Sequence, residues 1–296
     1  MANFDDLLNS APSEEQTGGT LTKEEYAAKK QAEREEVFAL SDLTAMEVSS
    51  NGDTFKKFLD LQGRLDRYSA VNVLLVFAKN RDASRLGGFD FWKSQNAFVK
   101  PGETGISILE PGNEYERADG SKAVGYNVKK VFDISQVDTR KLKSASTVTY
   151  NDRQLLTALL TKPPVRISGV DNLPDNLGAM TDPKTGEIRI RKGMEFPDTF
   201  RSVAQELSFA DLTTGGNTQA DPHFSAYCAA YLLCRKYGVD VQGFSFENAP
   251  GVFDGMEAQT IKGELTQIRD AAEDISGRMA RQLEMQSKVA RSQDAR

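Results

Sequence analysis

Two runs of strand-forming residues, ISIL from Ile106 and VGYNVKKVFDIS from Val124, lie either side of the charged turn NEYERADGSK. That pattern predicts a pair of strands joined by a polar turn. The segment before them has a helical period. Phe55, Phe58, Leu59, Leu65, Leu74, Leu75 and Phe77 recur at intervals near three and four, with an interruption around Tyr68-Ser69. Between the two patterns, FDFWKSQNAFVKPG has a helix-like start and a Lys-Pro-Gly turn. Helices followed by strands make this part of the chain an α+β unit.

The second half repeats the mixture. A connector leads to a helix around DRQLLTALLT, stopped by Pro163-Pro164, and LGAMTDPKTGEIRIRKGM places a tight turn between two short strands. Two helical runs follow, PDTFRSVAQELSFADL and DPHFSAYCAAYLLCRKYG, the second closed by Gly238 as its C′ residue. From Gln259, the positions Ile261, Leu265, Ile268, Ala272, Ile275 and Met279 alternate by four and three. They form the seam of a long amphipathic helix that packs back on the protein or pairs with another copy or a protein partner. At the other end, residues 1–20 read as a mobile acidic leader and TKEEYAAKKQAEREEVF as a solvated or partner-dependent helix. The resulting division is 1–50, 51–146, 147–253 and 254–296.

Composition removes several functions. No apolar run approaches bilayer length, and MANFDDLLNSAPSEE lacks the basic-then-apolar order of a signal peptide, so a cytoplasmic protein without a membrane partner is expected. Cys228 and Cys234 lie about 120° apart on a helix, which suits buried thiols rather than a disulfide or a shared metal face. His223 is the single histidine, which excludes a His-rich metal site and any mechanism needing two imidazoles. The net charge of -6 is unevenly spread: residues 1–52 carry 4 basic and 11 acidic side chains, residues 53–150 carry 16 and 12. An anionic partner would therefore dock on the middle of the chain.

The helix AQELSFADL has the outline of a zinc-peptidase helix. Such a helix reads His-Glu-x-x-His because i and i+4 share a face and two imidazoles can grip one ion. Here those positions hold Gln205 and Phe209, on either side of Glu206, Leu207 and Ser208.

Several blocks in order resemble the ArdC-type antirestriction family of conjugative plasmids and related mobile elements. They are YSAVNVLLVFA, GGFDFWKSQNAFVKPGETGISIL and VFDISQ, with Asn72, Phe89, Trp92, Gly102, Gly105, Ile106 and Val131-Phe132-Asp133, then DPKTGEIRIR, AQELSFADL and AYCAAYLLCRKYGVD. The resemblance covers most of residues 53–246. It implies an N-terminal α+β single-stranded-DNA-binding domain followed by a zincin-like α+β domain, with the long helix after it. It also places Tyr227 where the family carries a glutamate ligand. With Gln205, Phe209 and Tyr227 at the three ligand positions, only Glu206 survives. The expectation is a pseudo-metallopeptidase with no catalytic residue, metal or cofactor, in which Phe209 fills the former metal cavity.

Single-stranded DNA asks for positive charge along a groove and for aromatic faces on which bases can lie. Residues 64–100 supply Arg64, Arg67, Lys79, Arg81, Arg85, Lys93 and Lys100, interleaved with Tyr68, Phe89, Phe91, Trp92 and Phe98. The expected nucleic-acid contacts are Arg67, Tyr68, Asn72, Arg81, Arg85, Trp92, Lys93, Lys100, Lys129 and Lys130. Trp92 is either a core residue or a stacking platform. Tyr68 and Asn72 are either a hydrogen-bonded pair or base readers, and Lys129 and Lys130, on opposite faces of a strand, cannot both join one groove. The reading is a sequence-tolerant binder of single-stranded DNA from a conjugative plasmid, integrative element or phage, acting in antirestriction or DNA protection. The preference for single strands is what the resemblance implies. The alternatives are an active metallopeptidase with unusual ligands and a regulatory protein that no longer binds DNA.

Overall fold

The structure, a computed structural model, describes residues 22–117, 119–142, 148–215 and 220–294. The leader read over residues 1–20 lies outside them. Helix α1 (Lys23–Ser49) opens on a capping box, in which the Thr22 hydroxyl accepts from the Glu25 amide at 3.2 Å while the Glu25 carboxylate accepts from the Thr22 amide at 2.8 Å. Its first turns are solvated and carry Lys30–Glu33 and Gln31–Glu35 contacts. The helix continues beyond the charged stretch, and there Val37, Ser41, Thr44, Ala45 and Val48 turn inward. Ser41 and Thr44 satisfy their buried hydroxyls on the Phe38 and Leu40 carbonyls.

The interruption at Tyr68-Ser69 separates α2 (Gly52–Arg64) from α3 (Ala70–Phe77), whose N-cap is Ser69. Strand β1 (Leu86–Gly87), the short helix α4 (Phe89–Ser94) and β2 (Phe98–Val99) then lead into the hairpin of β3 (Ile106–Glu116) and β4 (Lys122–Asp133). The hairpin runs antiparallel from Ile106 opposite Val131 to Glu116 opposite Lys122, with a register shift between Pro111 and Glu114. β1 pairs with the other edge of β4, and β2 pairs with β5 (Val137–Asp138).

In the second half, α5 (Asp152–Leu159) precedes a sheet in the order β6 (Ile167–Val170), β8 (Ile188–Arg191), β7 (Ala179–Thr181). β7 and β8 are the two strands around the Asp-Pro-Lys-Thr-Gly turn. β6 is an addition to the sequence reading, and it pairs parallel to β8. Helices α6 (Phe196–Gly215) and α7 (Pro222–Tyr237) pack together, and α6 lies against β7 and β8. α7 is buried on nearly every side, holds Cys228 and Cys234 as free thiols, and ends at Gly238 with φ 71°. Burial pushes the Cys234 thiol up to about 12.

After a single turn, α8 (Ala249–Val252), the chain ends in α9 (Ala258–Asp294). Ile261, Leu265, Ile268, Ala272, Ile275 and Met279 are all buried, and α9 lies against α1, α3, α5, α6 and α7. Of the two arrangements open for the seam, the helix therefore packs back on its own chain, and the seam is not free for a second copy or a partner. Lys262 pairs with Asp42 of α1 at 2.5 Å, and the Lys236 ammonium of α7 bridges Asp66 at 2.9 Å and Ser276 of α9 at 3.0 Å. One cluster of buried side chains runs from Ala45 to Leu283. Among the described residues no helix is long and apolar enough to cross a membrane.

Candidate functional site

The helix pair α6–α7 carries Gln205, Glu206, Phe209 and Tyr227, and the last three have other work there. One oxygen of Glu206 accepts from the Thr181 amide and the Thr181 hydroxyl, both at 2.7 Å, so the carboxylate ties α6 to the edge strand β7. Phe209 stacks on the His223 ring at 4.3 Å and 12° and packs against the core. The Tyr227 hydroxyl accepts from the Ser245 amide at 2.8 Å, and its ring leans on Phe244 and Phe246. Burial pushes the Tyr227 phenol above its usual range. These side chains do not fit a metal ion: a phenyl ring has no lone pair, an amide oxygen is a weak donor, and the remaining carboxylate is engaged with backbone. Among the described residues no group of three or more His, Cys, Asp or Glu could hold one. Zinc-peptidase chemistry has no ligand set here.

The second region lies around α4. Here the structure decides the open choice at Trp92: the residue is fully buried, and its Nε1 donates to the Phe132 carbonyl at 3.1 Å. With Ala97, Phe132 and Val137 it makes a small core of its own, so as a base-stacking contact Trp92 is corrected to a packing residue. Three phenylalanines around it are open instead. Phe89 is 63% exposed, Phe98 58% and Phe91 40%. Phe89 sets its edge on Phe132 at 4.7 Å, and Phe91 on Trp92 at 5.0 Å. The Arg85 guanidinium lies 5.5 Å from the Phe91 ring and 5.4 Å from the Trp92 ring. Lys93 is exposed and has no partner among the described residues. Lys100, just after Phe98, donates to the Ser135 carbonyl at 2.8 Å. Asp133 braces this region from behind. Burial alone would raise its pKa, but the Ser135 hydroxyl and the Ser84, Ser135 and Arg85 amides outweigh that and hold the carboxyl below its usual range.

The other expected contacts are placed differently. Asn72 and Tyr68 do not bond each other. The Asn72 amide donates to the Leu109 carbonyl and its oxygen accepts from the Leu109 amide, both at 2.8 Å, while the Tyr68 hydroxyl donates to the Leu86 carbonyl at 3.3 Å. Both of Asn72's polar atoms are thereby engaged, so as a base reader it is corrected to a clamp between α3 and β3. Burial also pushes the Tyr68 phenol up. Arg81 pairs with Glu47 at 2.5 Å and covers the Phe77 ring. Arg67 is exposed without a partner among the described residues. Lys129 pairs with Glu110 at 2.7 Å, and Lys130, on the opposite strand face with Phe132, reaches Ser107 at 2.6 Å. Phe89, Phe91 and Phe98 stand among the aromatics of the sequence reading but not among its expected contacts, which took Trp92 instead. The spacing in FDFW is only a partial signal: at about 100° per residue Phe91 lies off the face that Phe89 and Trp92 share at i and i+3, which does not say that Phe89 stays exposed.

Fold and site together define an α+β protein whose second half, among the described residues, offers no metal-ligand set. No family model matches the chain, and no curated protein does. Among solved structures, the metal-free crystal structure of the antirestriction protein ArdC from the R388 plasmid aligns with a TM-score of 0.50 at 16% identity, over 72% of this chain and 86% of that one. The Mn(II)-bound structure of the same protein gives 0.46 and 18%, over 72% and 85%. At this identity the likeness is one of fold.

Proposed function

We propose that this chain is a sequence-tolerant single-stranded DNA-binding protein, with the zincin-like half kept as scaffold. The observation that carries the reading is that Phe89, Phe91 and Phe98, on and just after α4, are exposed on a segment that also carries Lys93 and Lys100, with the Arg85 guanidinium 5.5 Å from the Phe91 ring. Unstacked bases find π-faces there and phosphates find cations, with no base-edge readers in evidence among those six side chains. Duplex DNA, whose bases are already stacked, gains nothing from the rings. The antirestriction name of ArdC supports a role beside mobile DNA, where single strands entering a cell need cover. The test is an anisotropy titration of a labelled oligo(dT). With three phosphate contacts the salt slope is about -2, so affinity falls about twentyfold between 50 and 200 mM salt. The triple change Arg85→Glu, Lys93→Glu, Lys100→Glu should abolish binding, and unlabelled duplex should compete poorly. Absence of binding by the intact protein at low salt would sink the reading.

A further inference from the structure

Gly87 is buried in β1, opposite Phe132 of β4, and the Phe91 ring lies directly on it. A Cβ at position 87 would sit 2.0 Å from Phe91 Cδ1 and 2.8 Å from Cε1, inside any tolerable contact. The backbone at this position does not need a glycine for its φ, since Gly87 is not among the positive-φ residues. What needs the missing side chain is the ring. Phe91 is held on three sides, by the bare β1 backbone, by the Trp92 ring at 5.0 Å and by the Arg85 guanidinium at 5.5 Å, and is open on the rest.

We infer that Gly87 is a positioning residue for base stacking: its lack of a Cβ seats Phe91 in the one orientation in which a ring and the Arg85 charge are presented together. The inference rests on the single-strand-binding reading. An added methyl group has one cheap escape, rotation of Phe91 outward about its own side-chain bonds, because the ring is partly exposed. Gly87→Ala should therefore disorder the stacking face while leaving the surrounding sheet intact.

The test is a cycle of the full-length wild type, Gly87→Ala, Phe91→Ala and the double variant, each titrated with oligo(dT) and each melted without DNA. Either single change should weaken binding about tenfold, the effect of one lost base–aromatic stack, with the salt slope unchanged because no cation is removed. The double variant should bind no more weakly than Phe91→Ala, and in the melt Gly87→Ala should cost stability only when Phe91 is present. Gly87→Ala binding as tightly as wild type, or two effects that multiply, overturns the inference. A Gly87→Ala protein too unstable to titrate is still decided by the melt in the Phe91→Ala background: equal destabilisation there shows a fold role and overturns it. Wild type that binds no oligonucleotide overturns the underlying reading, and the role of Phe91 with it, whatever the melts give.

Discussion

Glu206 keeps the residue type of a catalytic carboxylate and spends it on a strand. Both of its bonds go to Thr181, one to the amide and one to the hydroxyl, so removing the carboxylate strands a backbone donor on the edge of a three-stranded sheet. Hydrogen bonds to a charged group contribute about 2 kcal/mol net. In urea titration Glu206→Ala should lower the unfolding free energy by that amount, with a matching fall in the midpoint, and Glu206→Gln, which keeps an acceptor oxygen, by less. Equal midpoints for all three proteins would show that the carboxylate is not a strut. The same scale shows what a chain of letters can carry. The want of metal ligands on α6 was legible because lone pairs belong to residue types: Phe209 cannot coordinate in any fold. Exposure was not legible. Phe91 and Trp92 are neighbours on a helix of six residues, and which ring faces in is settled by Phe132, 40 positions further on.

At the scale of elements, periodicity was informative wherever a stripe was long enough. The seam of α9 and the left-handed Gly238 that ends α7 both follow from spacing alone. β6 has four residues, and its partner β8 begins 21 positions later, so no local pattern marks it as a parallel strand. Asn72 is the other case. On α3 it looks like a polar residue on a helix face, yet its carboxamide copies the two bonds of a neighbouring strand along the outer edge of β3. That clamp closes an edge that would otherwise present unpaired groups. Asn72→Ala leaves the Leu109 amide and carbonyl unmatched beside a buried side chain and should cost about 2 kcal/mol in chemical denaturation. Asn72→Asp keeps the acceptor but sets a carboxylate against the Leu109 carbonyl, and should recover only part. Full stability in both variants would mean that water serves that edge equally well.

Across the whole molecule, the two halves share side chains rather than a surface. Phe55 of α2 sits among Phe224, Phe246 and Phe253 at ring distances of 5.7, 5.7 and 5.5 Å. The Tyr231 hydroxyl of α7 donates to Asp60 at 2.7 Å, beside the Arg235–Asp60 pair at 3.0 Å. The second half, which offers no metal-ligand set among the described residues, thus supplies walls for the half that carries the exposed rings. Chains of this length often unfold in steps, but a core continuous from Ala45 to Leu283 argues for one transition. Trp92, the single tryptophan, reports from the small core beside α4, and β4 joins that core to the large one through the adjacent residues Val131 and Phe132. Phe224→Ala, in the other half, opens a cavity worth about 4 kcal/mol. It should shift the Trp92 fluorescence midpoint and the far-ultraviolet circular dichroism midpoint together and equally. If Trp92 melts where it does in the wild type while the helical signal falls early, the halves unfold independently, and the scaffold role of the zincin-like half fails with the shared core.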